Sequence, residues 1–297
     1  MRALGVTTDS SSDMTLHQSR SLDVPVTPII VRVGEQETET GPAMDREAYF
    51  DAIVQKGLAG TAAVSPAKWA GAYRDLAERS TVQLAVTLSQ EMSATWQSAR
   101  VAGAQQPSQQ VFVFDSGTVF SGLLALVLGA GELALDGAGL EDVWNWLTWA
   151  RPRTFTYLLS PNLAMLHRIG RVADPMASHT RPWSVVKIEG GRFVPKSTHV
   201  DVEEAIRWVW SDLLPALEDT VPLRLVVDHG RAGGTAASVV ELMSSRIHPR
   251  DVVRVDDGPI MPVLADGFGG VALAVAPLPV GKTPTSSEAH SYGNGAG

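Results

Sequence analysis

Short apolar runs alternate with helix-like stretches along the first half of the chain. Ala3 to Thr7, Val24 to Val33, Val82 to Leu88 and Val111 to Phe114 read as strands, and Asp45 to Lys56, Pro66 to Arg79 and Glu91 to Ala104 read as helices between them. That order predicts an α/β fold. A strand as uniformly apolar as Val111-Phe-Val-Phe114 implies a sheet covered on both faces, as in parallel strands joined by crossover helices, with ligands at the strands' carboxyl ends. A long helical stretch follows from Gly117 to Ala150, broken near Asp136-Gly137 and ending at Arg151-Pro152. Beyond it, Thr154 to Leu159, Trp183 to Ile188, Leu223 to Val227 and Val271 to Ala276 read as strands. Glu189-Gly190-Gly191-Arg192 reads as a hairpin turn, and Val202 to Leu217 and Thr235 to Arg246 read as helices. The expectation is two α/β domains, residues 1–152 and 153–281, the first built on a mainly parallel sheet flanked by helices. The Gly/Ser/Thr-rich residues 282–297 are expected to form a disordered tail.

Composition narrows the function. At 297 residues and 44% hydrophobic, the chain can bury two cores. A net charge of −8 without a Lys/Arg run argues against nucleic acid as a partner. The absence of cysteine excludes disulfides, thiolate chemistry and thiolate zinc sites, and it fits a reducing compartment. The apolar run at Met1 to Val6 is too short for a signal peptide, so the expected location is cytoplasmic. Val119 to Leu135 falls short of a membrane span and holds three glycines, Ser121 and Glu132, which predicts a buried helix and no stable membrane insertion.

Two stretches carry candidate chemistry. In Thr61-Ala-Ala-Val-Ser65-Pro66, Ser65 and Pro66 stand in the order of an N-cap and first helical residue. In the segment from Val86 to Ala99, Ser89 and Ser93 are spaced to share one helix face, with Thr95 close by. Amide groups at a helix start lack intrahelical partners, so such places suit a carboxylate or phosphate. Ser10, Ser11 and Ser12, flanked by Asp9 and Asp13, follow the first strand, and Asp115-Ser116 follows the one ending at Phe114. A ligand site and a plain turn explain both. Gly281-Lys282-Thr283 lacks the first glycine of a phosphate loop, where Ala276 stands. Gly267-Phe-Gly269-Gly270 precedes a strand rather than a helix, Gly-x-Ser-x-Gly is absent, and the seven histidines show no metal-ligand spacing.

Taken together, Thr8-Asp9-Ser10, Thr61 with Ser65-Pro66, the block from Leu88 to Ala99, Asp115-Ser116 and Leu166-His-Arg-Ile-Gly170-Arg171-Val172 resemble the DegV family of fatty-acid-binding proteins over nearly the whole chain. The most specific part, Ser89 to Ala99, is similar to the family's Ser-x-x-Leu-Ser-Gly-Thr-Tyr-x-Ser-Ala. The resemblance implies a carrier rather than an enzyme. It would hold one long-chain fatty acid in an apolar interdomain tunnel, without other cofactors, and present the carboxylate to a separate fatty-acid kinase. By the same resemblance Thr61 and Ser93 fall on carboxylate-contacting hydroxyls, and Ser89, Ser10, Asp115, Ser116 and Arg171 are further ligand-binding candidates.

Three departures matter. The family's Thr-Ser-Gln-Pro-Ser is Thr61-Ala-Ala-Val-Ser65 here, its Lys-x-Arg aligns with Thr198-His199-Val200, and its His-x-Gly-Pro-Gly with Ala265 to Gly269. One hydroxyl, an arginine and a histidine are thus replaced. Arg171 and His199 are the candidates to supply the lost charge, while Asp266 would repel an acid or mark a different ligand. The helix from Gly117 to Leu135 is either a tunnel wall or an ordinary core helix. Two rival readings stand beside the carrier: a divergent interaction protein without a ligand, which the departures suggest, and a kinase-type or phosphate-ester enzyme using the helix-start anion site.

Overall fold

A computed structural model describes residues 2–106, 110–173, 182–217, 221–264 and 269–279; the expected tail at 282–297 lies outside them. In chain order the first half contains β1 (Arg2–Asp9), α1 (Leu16–Leu22), β2 (Val26–Thr27), β3 (Ile30–Val33), β4 (Gln36–Glu39), α2 (Arg46–Lys56), β5 (Leu58–Ala62), α3 (Pro66–Ala77), β6 (Ser80–Thr87), α4 (Thr95–Ala104), β7 (Gln110–Asp115), α5 (Phe120–Leu135) and α6 (Leu140–Ala150). The second half contains β8 (Phe155–Ser160), α7 (Ala164–Arg168), β9 (Trp183–Glu189), β10 (Arg192–His199), α8 (Val202–Leu213), β11 (Leu223–His229), α9 (Gly233–Ile247), β12 (Asp251–Asp256), α10 (Met261–Leu264) and β13 (Val271–Pro277).

Strands β2-β1-β6-β7 form the parallel sheet expected of the first half. The run from Val24 to Val33, expected as one strand, is two. Pro25 and Pro28 have no N–H to give to a ladder, so β2 ends at Thr27 and β3 turns away into a separate antiparallel sheet of order β4-β3-β5. There Val31 lies opposite Thr61, which fixes Thr61 on a small sheet above the carboxyl ends of the parallel strands.

Helix α5 is apolar all round because it is buried between two sheets, β1 and β6 on one side, β11 and β13 on the other. Its glycines permit that fit. A Cβ on Gly122 would lie 2.0 Å from Thr156 Oγ1, and one on Gly129 would lie 2.1 Å from the Trp146 ring. The body of the stretch from Gly117 to Leu135 is thus packed as a core helix. The break before α6 falls at Asp136-Gly137, where Gly137 has φ 92.

The second sheet has the order β10-β9-β8-β13-β11-β12 and is antiparallel except for the β11/β12 pair. Alternation along its strands splits the core. Leu158, Val226 and Ala272 join the cluster around α5, while Tyr157, Leu159, Leu225, Val227, Val271 and Leu273 face α8 and α9. The β9–β10 turn is the expected two-residue hairpin, with positive φ at both Gly190 and Gly191. No helix among the described residues is long and apolar enough to cross a membrane.

Candidate functional site

A cavity of about 330 Å³ opens between the two halves. That volume lies at the lower end of small-molecule sites, which span roughly 300–1,000 Å³. Its walls are mostly apolar. The first half contributes Ile29, Leu88, Met92 and Val119, and the second contributes Ile169, Phe193 and Ile260. Polar groups come from four places: Ser11 after β1, Thr61 on β5, Ser93 before α4, and Arg171 after α7. The cavity thus sits where parallel strands end and loops gather.

The turn from Ser89 to Ser93 is not part of a helix, contrary to the Glu91 to Ala104 expectation. Side chains capture its amides before a helical ladder can start: Gln90 N–H donates to Asp115 Oδ1 and Glu91 N–H to Ser89 Oγ, so α4 begins only at Thr95. Helix α4 has no side-chain cap beyond the bond from Thr95 N–H to Ser93 Oγ at 3.2 Å.

Hydrogen bonding fixes what Ser93 can offer. The buried Thr95 hydroxyl accepts from Val64 N–H at 3.2 Å and lies 2.9 Å from Ser93 Oγ. Ser93 Oγ also accepts from Thr95 N–H, which holds this hydroxyl in place at the cavity wall. Ser93 Oγ has one proton and a remaining lone pair to divide between Thr95 and the cavity, so it can donate to an anion held there. A donor suits an anion.

Arg171 supplies charge. The chain turns at Gly170, φ 69, and Arg171 N–H donates to Leu166 O at 2.7 Å, which brings the guanidinium across the cleft to the Met92 carbonyl, one residue from Ser93. Among the described residues of the cavity wall it is the charged side chain. His199 does not share this role: it is buried at the end of β10, with Nε2 2.8 Å from Ser197 Oγ, facing Glu204 and Trp208 of α8. Ala62 and Ala63, where the family has a hydroxyl, leave methyl groups on the wall. Of the Ala265 to Gly269 loop, residues 265–268 lie outside the described residues.

Thr61, Ser93 and Arg171 are therefore brought together, and four other candidates are not. Ser10 is buried: it accepts from Ile29 N–H at 2.8 Å and bonds Thr40 Oγ1, pinning the small sheet to β1. Ser89 is buried under the hairpin tip, where a Cβ on Gly191 would lie 2.3 Å from its Oγ. Asp115 accepts from Gln90 and Gly117 amides, and Ser116 bonds the backbone of Thr118. Ser89, Asp115 and Ser116 line a different cleft of about 550 Å³ with Arg151 and Lys187. Hydroxyl-rich turns at strand ends look alike in sequence, and only packing separates the two clefts.

Two contributors from the Asp9 to Asp13 cluster are not among the ligand residues that the resemblance implied. Ser11, rather than Ser10, reaches the cavity. Asp9 holds it there: Oδ1 accepts from Ser11 N–H and Oγ–H, and Oδ2 accepts from Leu88 N–H at 2.9 Å, so one carboxylate ties together the β1 and β6 loops. Burial pushes its pKa up, opposed by the Ser11 and Leu88 bonds. The signal was present in Asp9-Ser10-Ser11, but which serine faces the ligand depends on the 3₁₀ turn at Ser10–Ser12.

Comparisons with known proteins place the fold. A family model described as "uncharacterised protein, DegV family" matches residues 3–278. A DegV domain-containing protein of Deinococcus radiodurans is 28% identical over 291 residues, covering 93% of this chain and 99% of that one. Among solved structures, a fatty-acid-binding DegV protein of Thermus thermophilus superposes with a TM-score of 0.83 at 24% identity, covering 94% of this chain and 100% of the other. A DegV lipid-binding protein of Thermotoga maritima gives 0.84 at 19% identity, over 94% and 99%. A DegV protein of Eubacterium eligens, loaded with heptadecanoic acid, gives 0.81 at 18% identity, over 93% and 100%. The match over nearly the whole length establishes that this chain belongs to the DegV family.

Proposed function

We propose that the protein is a carrier that holds a long-chain fatty acid between its two halves, the carboxylate against Thr61, Ser93 and Arg171 and the chain along the apolar wall. The observation that carries this reading is the meeting of the Thr61 and Ser93 hydroxyls and a cationic Arg171 at one apolar cavity. The fatty acids held by related DegV proteins support the ligand class. At about 30 Å³ for a water-sized group, the 330 Å³ cavity takes about eleven methylene-sized groups. A longer chain enters only as the cleft widens. The exposed flank of Arg171 leaves the acid group accessible, which suits presentation to a fatty-acid kinase; the carrier supplies position and the kinase supplies the phosphoryl chemistry. Native mass spectrometry of freshly purified protein, followed by extraction, tests the reading: the expected result is one long-chain acid per chain. Ligand-free protein from every expression host would favour a divergent interaction protein instead.

A further inference from the structure

Two carboxyl groups from opposite halves meet in the interior. Asp13 follows β1 and is 1% exposed; Asp228 lies on β11 and is 0% exposed. They converge beside Gly258, where a Cβ would lie 2.3 Å from Asp228 Oδ1 and 2.8 Å from Asp13 Oδ2. Asp13 is anchored as an acceptor, taking Ile260 N–H at 2.8 Å and Met261 N–H at 3.1 Å. Neither oxygen of Asp228 finds a described donor in hydrogen-bonding geometry. Two buried carboxylates side by side repel strongly, and a single proton between them converts that repulsion into a charge-assisted O–H···O bond.

We propose that Asp13 and Asp228 share one proton and act as a clasp between the two halves, closed while the proton is held and loosened when it is lost. The clasp adjoins the cavity directly, because Ile260, whose amide Asp13 holds, is part of the cavity wall. The other ionisable groups around it are committed elsewhere. Arg46 of α2 faces the pair, but its guanidinium donates to the Asp256 and Asp257 carbonyls. Tyr49 of α2 donates to Pro259 O, and burial raises its pKa. His229 accepts from Ala232 N–H at Nδ1 and meets Asp256 Oδ1 at Nε2, with Asp257 3.8 Å away. Asp9, in the same loop as Asp13, faces Ser11 and Leu88.

The sign follows from the raised pKa values. Burial raises Asp13 to about 6, and burial with the neighbouring Asp13 charge raises Asp228 well above the usual carboxylate range. The folded pair therefore keeps one proton after Asp13 ionises near 6, a proton that the unfolded chain releases near pH 4, so the clasp holds while that proton stays and is lost as pH rises further, through the raised Asp228 pKa. Hydrogen exchange of the Ile260 and Met261 amides in ligand-free protein reads the clasp whether or not the cavity carries an acid. Expected is a fall in protection, beyond the intrinsic pH effect, of about tenfold or more as pH rises from about 6 to about 9. In Asp228→Asn, whose amide supplies a permanent donor to Asp13, protection stays flat. A flat wild-type profile, or an equal fall in Asp228→Asn, would overturn the proposal. Should that variant not fold, carboxyl-carbon NMR of the wild type decides: one proton retained by the pair at neutral pH supports the clasp, and full ionisation of both by about pH 5 removes it.

Discussion

Replacing Ser93 by alanine removes one donor to the ligand and one acceptor from the protein, and the two losses have separate readouts. The donor is the Ser93 hydroxyl, held at the cavity wall by its bonds with Thr95. A hydrogen bond to a charged group contributes about 1.5–3 kcal/mol, so affinity for hexadecanoate should fall roughly 10- to 150-fold. Binding persists. The roughly eleven methylene-sized groups that fill the 330 Å³ cavity contribute about 9 kcal/mol at about 0.8 each before association costs. The lost acceptor leaves the buried Thr95 hydroxyl and its N–H without Ser93, at a cost of about 1–3 kcal/mol in stability. Isothermal titration with hexadecanoate and hexadecanol, beside thermal unfolding of the empty protein, separates these effects. The acid should lose more than the alcohol, whose neutral hydrogen bond contributes about 0.5–1.5 kcal/mol. Affinity for the acid unchanged within about twofold, or equal losses for acid and alcohol, would refute the donor assignment.

Other substitutions probe the rest of the account. Arg171→Met should weaken hexadecanoate about tenfold while sparing its methyl ester, and should flatten the salt dependence of acid binding; titrations at two ionic strengths check this. Ser10→Ala strands the Ile29 amide and should lower stability by about 1–3 kcal/mol with unchanged acid affinity, whereas a selective loss of affinity would return Ser10 to the site. Gly129→Ala places a methyl 2.1 Å from the Trp146 ring, so denaturant unfolding should show a loss of about 1–3 kcal/mol, and an unchanged midpoint would contradict the packing of α5.

How much the sequence revealed depended on whether an element was decided locally. Ser65-Pro66 announced the start of α3, and the cap forms, with Ser65 Oγ accepting from Lys68 N–H. The hairpin at Gly190-Gly191 and the break at Asp136-Gly137 were equally plain, because glycine alone takes those backbone angles easily. The small sheet was hidden, since Gln36–Glu39 is polar and Leu58–Ala62 short; only its pairing with Ile30–Val33 makes it a sheet. Strand β12, at one edge of the second sheet, was also missed, for it alternates with solvent and lacks a long apolar run, while β10 at the other edge was implied only by the hairpin turn. In the site, residue type was legible and direction was not. Ser10 and Ser11 are chemically the same, and a 3₁₀ turn sends one to Thr40 and the other to the cavity. Arg171 was legible only through resemblance, because its reach to Met92 spans the two halves of the chain.

The most direct test is a crystal structure of the protein with hexadecanoate. The account requires the carboxylate within about 3 Å of Ser93 Oγ and Thr61 Oγ1, beside Arg171, with the chain running past Phe193 and Ile260. An acid lodged instead in the cleft lined by Asp115 and Lys187, or a cavity that stays empty while the acid binds elsewhere, would contradict it.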